Sequence, residues 1–175
     1  KRMGILGLGA VGQAIAKRAA NGFDMSISYH KRQPLPDTPH TWCASVVELA
    51  GAVDFLIVAT PGGSGTRHLV NGPVLDALGP HGYVINISRG SVIDTDALIA
   101  ALASGRIAGA GLDVFDHEPQ VPDALKTLGN VVMTPHMGGQ SPEAAQGTVQ
   151  MVVNNLVAYF SGQPVLTPVS LPAPL

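Results

Sequence analysis

At 175 residues the chain has room for one domain, or for one domain with an appendage. Hydrophobic residues make up 46% and charged residues 13%, enough to bury a large core and still leave an apolar surface for a partner. A net charge of −2 without long runs of one sign argues against nucleic acid, the single cysteine Cys43 excludes an internal disulfide and a cysteine metal cluster, and no apolar run reaches a membrane span of about 18 residues, so no membrane or metal partner is expected and the cytoplasm is the default compartment.

The opening run Met3-Gly4-Ile5-Leu6-Gly7-Leu8 predicts a buried parallel strand. Gly7, Gly9 and Gly12 then form a G-x-G-x-x-G turn, and Val11, Ile15 and Ala19 begin a helical period. The first glycine of such a turn permits a tight reversal, the second lets a pyrophosphate approach the backbone, and the third lets helix and strand pack closely. The first-turn N–H groups of the helix, which begins around Ala10 and Val11, then face the phosphates. Methyltransferases carry related turns, so the motif alone is weak. Here it sits between a strand and a helix, and a second strand, Met25 to Tyr29, follows, which is the context of a dinucleotide site.

The second strand ends in His30-Lys31-Arg32-Gln33, where an acid ordinarily grips the ribose hydroxyls of NAD. No carboxylate stands there to repel a 2′-phosphate, and Lys31 and Arg32 can pair with it, which favours NADP(H) and keeps NAD(H) as the alternative. The bland reading of the two cations is a solvated surface pair.

A proline-rich loop, Gln33 to Pro39, leads to a short strand over Trp42 to Ala44, and Ser45-Val46-Val47-Glu48 reads as a capping box. Val53 to Ala59 is a buried strand that ends in Thr60-Pro61-Gly62-Gly63, a loop at the sheet edge where ligands bind. Asn71 to Leu78 predicts a short helix, Tyr83 to Ile87 a strand, Thr95 to Ala103 a helix capped by Asp94, and Ile107 to Val114 another strand. Asp116 to Lys126 reads as a loop, Val131 to Thr134 as the last strand, and Ser141-Pro142-Glu143 as the start of a long helix to about Phe160, before a proline-rich tail. Strands alternating with helices predict an α/β fold of the Rossmann type, a doubly wound parallel sheet with helices on both faces.

In a parallel sheet the carboxyl ends of the strands share one edge, which would gather Arg89, Asp113, Glu118 and His136 near the mouth faced by the glycine loop. An arginine can hold a carboxylate by two hydrogen bonds and polarise the adjacent carbonyl. A histidine can give or take a proton, and a nearby carboxylate would fix its tautomer and favour its charged form. Beside a nicotinamide, these parts suit reversible hydride transfer between a 2-oxo acid and a 2-hydroxy acid. Singly, Arg89, Glu118 and His136 can each be an ordinary loop residue; the joint pattern carries the reading, and His68, His81 and His117 are read as loop residues.

These stretches resemble the nucleotide-binding domain of the D-isomer-specific 2-hydroxyacid dehydrogenases, in particular the glyoxylate/hydroxypyruvate reductase branch. The resemblance runs through Gly7 to Gly12, Ala59-Thr60-Pro61 with Thr66 to Asn71, Val84 to Asp94, Gly109 to Phe115 with Glu118-Pro119, and Thr134 to Gly139. It implies that Arg89 binds the substrate carboxylate and carbonyl, that His136 is the proton donor in reduction, and that Glu118 is its partner. It implies further that Asp113 and the backbone at Ile87 hold the nicotinamide carboxamide. Gly9, Ala10, Val11 and Gly12 would bind the pyrophosphate and His30 to Gln33 the adenosine end, with Gly7, Thr60, Pro61 and Gly138 completing the cofactor-binding candidates. Thr95, where an acid is common, and Gly138-Gly139, in place of a common Gly-Ser, are the mild departures.

By the same resemblance residues 1–140 would be the NAD(P)-binding domain. Residues 141–175 would be a helix and tail returning to a substrate domain whose N-terminal part is absent from this chain. The chain is therefore expected to be the cofactor-binding portion of an NAD(P)H-dependent reductase of small 2-oxo acids, poorly active by itself, in a protein that dimerises through this domain. The alternative from another class is a corepressor-like module that senses NAD(H) without turnover.

Overall fold

Seven apolar runs become strands that all point the same way. β1 (Arg2–Leu6), β2 (Ser26–His30), β3 (Thr41–Trp42), β4 (Phe55–Val58), β5 (Tyr83–Asn86), β6 (Gly109–Leu112) and β7 (Val131–Met133) form one sheet. Its order is β3-β2-β1-β4-β5-β6-β7, with every neighbouring pair parallel. The computed structural model describes residues 1–169 and divides into two compact units, Lys1–His136 and Met137 onward. This is the doubly wound α/β sheet expected from the alternation of elements.

Parallel neighbours need a crossover. α1 (Ala10–Phe23), α2 (Val46–Gly51), α3 (Gly72–Leu78) and α4 (Thr95–Ala103) supply crossovers, and the one-turn α5 (Asp123–Lys126) precedes β7. Their starts follow from side-chain caps. Ser45 Oγ accepts from Glu48 N at 3.1 Å while Glu48 Oε2 accepts from Ala44 N at 2.8 Å, so the capping box closes one residue upstream of the usual position. Asn71 and Asp94 cap α3 and α4 through Val74 N and Ala97 N. In the second unit α6 (Pro142–Phe160) starts at Ser141, whose Oγ accepts from Ala144 N, with Pro142 at its first position. Among the described residues no helix is long and apolar enough to cross a membrane.

Side chains of a strand alternate between faces, and the core divides accordingly. Leu6, Leu56, Val58, Val84 and Leu112 join residues of α2, α3 and α4 in one buried cluster. Ile5, Ile27, Tyr29 and Ile57 join Ala16 and Ala19 of α1 in the other. Two runs form shorter strands than their composition suggests. Gly7 ends β1 before Leu8, which is nevertheless buried, and the run Ile107 to Val114 contributes only Gly109–Leu112 to the sheet. The segment read as a loop from Asp116 to Lys126 ends in α5, because buried Leu125 anchors a turn that Asp123 and Lys126 close by an ion pair at 2.8 Å.

The glycine turn at the end of β1 separates its glycines by job. Gly7 has φ 98°, and a Cβ there would stand 2.7 Å from Thr60 Cα, so only glycine fits between β1 and β4. At Gly12 a Cβ would overlap the Gly7 carbonyl oxygen, which is the close helix–strand contact. Gly9 has no heavy atom within 4 Å of where a Cβ would stand, leaving one open side of the turn. Gly12→Ala is therefore expected to cost about 1–3 kcal/mol by overpacking, whereas Gly9→Ala should stay within about 0.5 kcal/mol of wild type. Thermal unfolding of the two variants checks the ordering.

Candidate active site

Strand order leaves β1 in opposite directions, toward β2 on one side and β4 on the other. A crevice opens at such a reversal beyond the carboxyl ends of the strands. A cleft of about 870 Å³ lies on that edge, and Arg89, Glu118 and His136 all line it. Val11 of α1, the Thr60-Pro61-Gly62-Gly63 loop after β4, and Ile87 after β5 line it as well. Three side chains from three different strand ends thus meet in one place.

Arg89 sits on a turn held from beneath. Asn86, the last residue of β5 and 1% exposed, donates from Nδ2 to the Arg89 carbonyl at 3.0 Å. Its Oδ1 accepts from Ser88 N at 3.0 Å and Ser88 Oγ at 3.1 Å. The stem of Arg89 passes over Gly62, where a Cβ would come within 2.7 Å of Arg89 Cγ. The next residue, Gly90, is buried and crosses the backbone at Phe115 and Asp116 so closely that a Cβ would overlap the Phe115 carbonyl carbon. That crossing brings the Arg89 turn beside the segment that carries Glu118.

Glu118 follows β6, in a segment where Phe115 N donates to Glu118 Oε1 at 2.9 Å. The peptide from Glu118 to Pro119 is cis. His136 follows β7 with φ 53°, its N–H donating to the Thr134 carbonyl at 3.0 Å. The two side chains meet at 2.8 Å, His136 Nδ1 to Glu118 Oε2. The His136 hydrogen bond first, then the Phe115 N–H, holds the Glu118 carboxyl below the usual carboxylate range, with smaller attraction from His136 and Arg89. An ionised carboxylate only accepts, so Nδ1 carries the shared hydrogen. With the side chains 48% and 36% exposed, the pair orients the ring more than it stabilises the fold.

The remaining candidates lie elsewhere on the edge or behind it. α1 begins at Gly9 with no side-chain cap and no acid in its first turn, so its N-terminal N–H groups and dipole suit an anion. Gly7, Gly9, Ala10 and Gly12 build this turn, with Val11 reaching the cleft. His30 ends β2 beside it, its carbonyl accepting from Gly7 N at 3.0 Å. The His30 Nδ1 donates to the Cys43 carbonyl at 2.9 Å. Lys31, Arg32 and Gln33 are exposed, and the Lys31 carbonyl accepts from Trp42 Nε1 at 3.0 Å. Asp113 is buried directly after β6, where Thr134 Oγ1 donates to its Oδ1 at 2.5 Å. Gly138 belongs to the second unit.

Two features escaped the sequence reading. Gly62 and Gly90 shape the cleft through close approach, and their only signal was adjacency to Pro61 and Arg89. A second cavity of about 790 Å³ lies between the start of α4 and the 114–126 segment, lined by Arg67, Asp94, Phe115 and Leu125. It contains none of Arg89, Glu118 and His136, which all line the other cleft, so the other cleft is the candidate site. Among the described residues no group of His, Cys, Asp or Glu could hold a metal ion.

Residues 1–138 match the family model of the D-isomer specific 2-hydroxyacid dehydrogenase NAD binding domain. The hydroxyphenylpyruvate reductase of Plectranthus scutellarioides is 51% identical over 169 residues, which are 97% of this chain and 54% of that protein. Glyoxylate/hydroxypyruvate reductase A of Arabidopsis thaliana is 48% identical over the same shares of the two chains. Among solved structures, an NADPH-dependent glyoxylate/hydroxypyruvate reductase from Sinorhizobium meliloti, crystallised with NADP and malonate, superposes with a TM-score of 0.93. It is 46% identical, and the match covers 97% of this chain and 53% of that one. The chain thus spans about half the length of the relatives it matches.

The hydrogen bonds of Asn86 generate an ordered expectation. Asn86→Ala leaves the Ser88 N–H and hydroxyl and the Arg89 carbonyl without that partner and should cost about 2 kcal/mol. Ser88→Ala removes one hydroxyl together with its own need for a partner and should cost under about 1 kcal/mol. Urea unfolding midpoints of the two variants measure the difference.

Proposed function

The chain belongs to the D-isomer specific 2-hydroxyacid dehydrogenases, and from that premise we propose that its protein reduces a small 2-oxo acid, of the glyoxylate or hydroxypyruvate kind, to the D-2-hydroxy acid with NADPH. The observation that carries this is the convergence of Arg89 with the hydrogen-bonded Glu118–His136 pair in one cleft, beside a glycine turn open at Gly9. The reductases among its relatives favour this reading over a corepressor-like sensor of NAD(H). A methyltransferase reading leaves the arginine, glutamate and histidine without work. In this reading residues 1–140 are the cofactor domain, residues 141–175 return to a substrate domain, and the protein is a cytoplasmic homodimer joined through the cofactor domain.

The residues fit a dinucleotide. The uncapped start of α1 takes the pyrophosphate, Lys31 and Arg32 take the 2′-phosphate, and Asp113 with the backbone at Ile87 takes the carboxamide. Bound NADPH supplies a hydride to the carbonyl carbon of the substrate. Arg89 grips the substrate carboxylate through its planar fork and polarises the carbonyl oxygen. Glu118 fixes the His136 ring through Nδ1–H, and Nε2 gives its proton to that oxygen as the new alcohol forms. Glu118, kept ionised by the His136 hydrogen bond and the Phe115 N–H, stays an acceptor and so holds the ring in one orientation.

Reduction of glyoxylate and hydroxypyruvate by the full gene product, followed by loss of NADPH absorbance, tests the reading. His136→Asn is expected to lower kcat by about a hundredfold or more, and Arg89→Lys to raise KM more than it lowers kcat, because the two-pronged grip is lost. Glu118→Gln, which removes the carboxylate acceptor that fixes the ring, should lower kcat while leaving KM nearly unchanged. An unchanged rate in His136→Asn would end the assignment. For the cofactor, titration of the 175-residue chain is expected to give tighter binding of NADPH than of NADH, and the reverse order would remove the role given to Lys31 and Arg32.

A further inference from the structure

Asp113, which takes the nicotinamide carboxamide in the proposed function, is held from two sides. Its backbone is tied to β5, its N–H donating to the Asn86 carbonyl at 3.0 Å. Its side chain meets the end of β7, where Thr134 Oγ1 donates to Asp113 Oδ1 at 2.5 Å. Register makes this meeting possible. Leu112 pairs with Met133 in the parallel ladder, and Thr134 N donates to the Leu112 carbonyl at 2.9 Å, so residue 134 comes to lie beside residue 113. The Thr134 carbonyl in turn accepts from His136 N at 3.0 Å. One residue therefore touches the supports of both reacting groups, Asp113 through its hydroxyl and His136 through its backbone.

We propose that Thr134 is a positioning residue for the nicotinamide: its hydroxyl fixes the Asp113 carboxylate in the rotation that accepts the carboxamide NH2. This rests on the dinucleotide reading of the site and adds to it the group that sets the carboxamide's direction. The chemistry is specific. A carboxamide offers N–H donors to a carboxylate, and a carboxylate that turns about its Cβ–Cγ bond orders that donor poorly. A hydroxyl on one oxygen selects a single rotation before the ligand arrives. Threonine suits the position because its methyl group restricts χ1 and so aims the hydroxyl.

The test compares NADPH with 2′-phospho-ADP-ribose, which keeps both nucleotide phosphate regions and lacks the nicotinamide. Calorimetry on the full chain is expected to give Thr134→Val about tenfold weaker binding of NADPH, the loss of one charge-assisted hydrogen bond. Binding of 2′-phospho-ADP-ribose should be unchanged in that variant, and Thr134→Ser should recover most of the loss. In an Asp113→Ala background Thr134→Val should add nothing further. Equal weakening toward both ligands would make Thr134 merely structural and overturn the proposal, as would unaltered NADPH binding in Thr134→Val. If the wild-type chain bound neither ligand, the dinucleotide reading itself would fall with it.

Discussion

Parallel pairing is the constraint from which the rest follows. Because all strands of the β3-β2-β1-β4-β5-β6-β7 sheet point one way, every strand end that carries chemistry arrives at the same edge. β5 delivers Arg89, β6 delivers Asp113 and Glu118, and β7 delivers Thr134 and His136. β1 delivers the glycine turn to that edge at the point where strand order reverses, which is where a crevice must open. An antiparallel neighbour anywhere between β4 and β7 would have sent one member of the set to the opposite edge.

Arrival at a common edge brings groups near one another, and backbone contact brings them together. Gly90 crosses the 115–116 backbone with no space for a side chain, and Gly62 lies under the stem of Arg89. Beneath them Asn86 spends its side-chain hydrogen bonds on the turn that presents Arg89. Such buried, satisfied polar groups are costly to break and rigid when intact. A rigid floor is what a site needs if a guanidinium and an imidazole are to keep their separation while substrate exchanges.

The Glu118–His136 pair has a different character. It is partly exposed, and its value lies in direction. The carboxylate chooses which ring nitrogen bears the shared hydrogen. Thr134 does the corresponding work for Asp113 with a neutral donor. In the proposed reduction, these two small orienting contacts at neighbouring strand ends would serve the hydride side and the proton side.

Residue order by itself determined the class of fold, the glycine turn with its tight reversal at Gly7 and close helix packing at Gly12, the helix caps at Ser45 and Asp94, the starts of the helices after Asn71 and Ser141, and the candidates Arg89, Glu118 and His136 that the sheet edge brings to one cleft. These are legible because each rests on local periodicity, on a side chain reaching its own backbone, or on a motif with fixed spacing. Strand ends were less legible, since Gly7 and the glycines of β6 break pairing that hydrophobicity alone would extend. What only the tertiary structure decided is contact between distant segments: the crossing of Gly90 with Phe115, the bed of Gly62 under Arg89, the anchoring of α5 by Leu125, and the meeting of Thr134 with Asp113. Their partners lie 21 or more residues apart in most of these cases, and no local pattern encodes them, because the register of a parallel sheet is set by the whole core and not by either strand that it brings together.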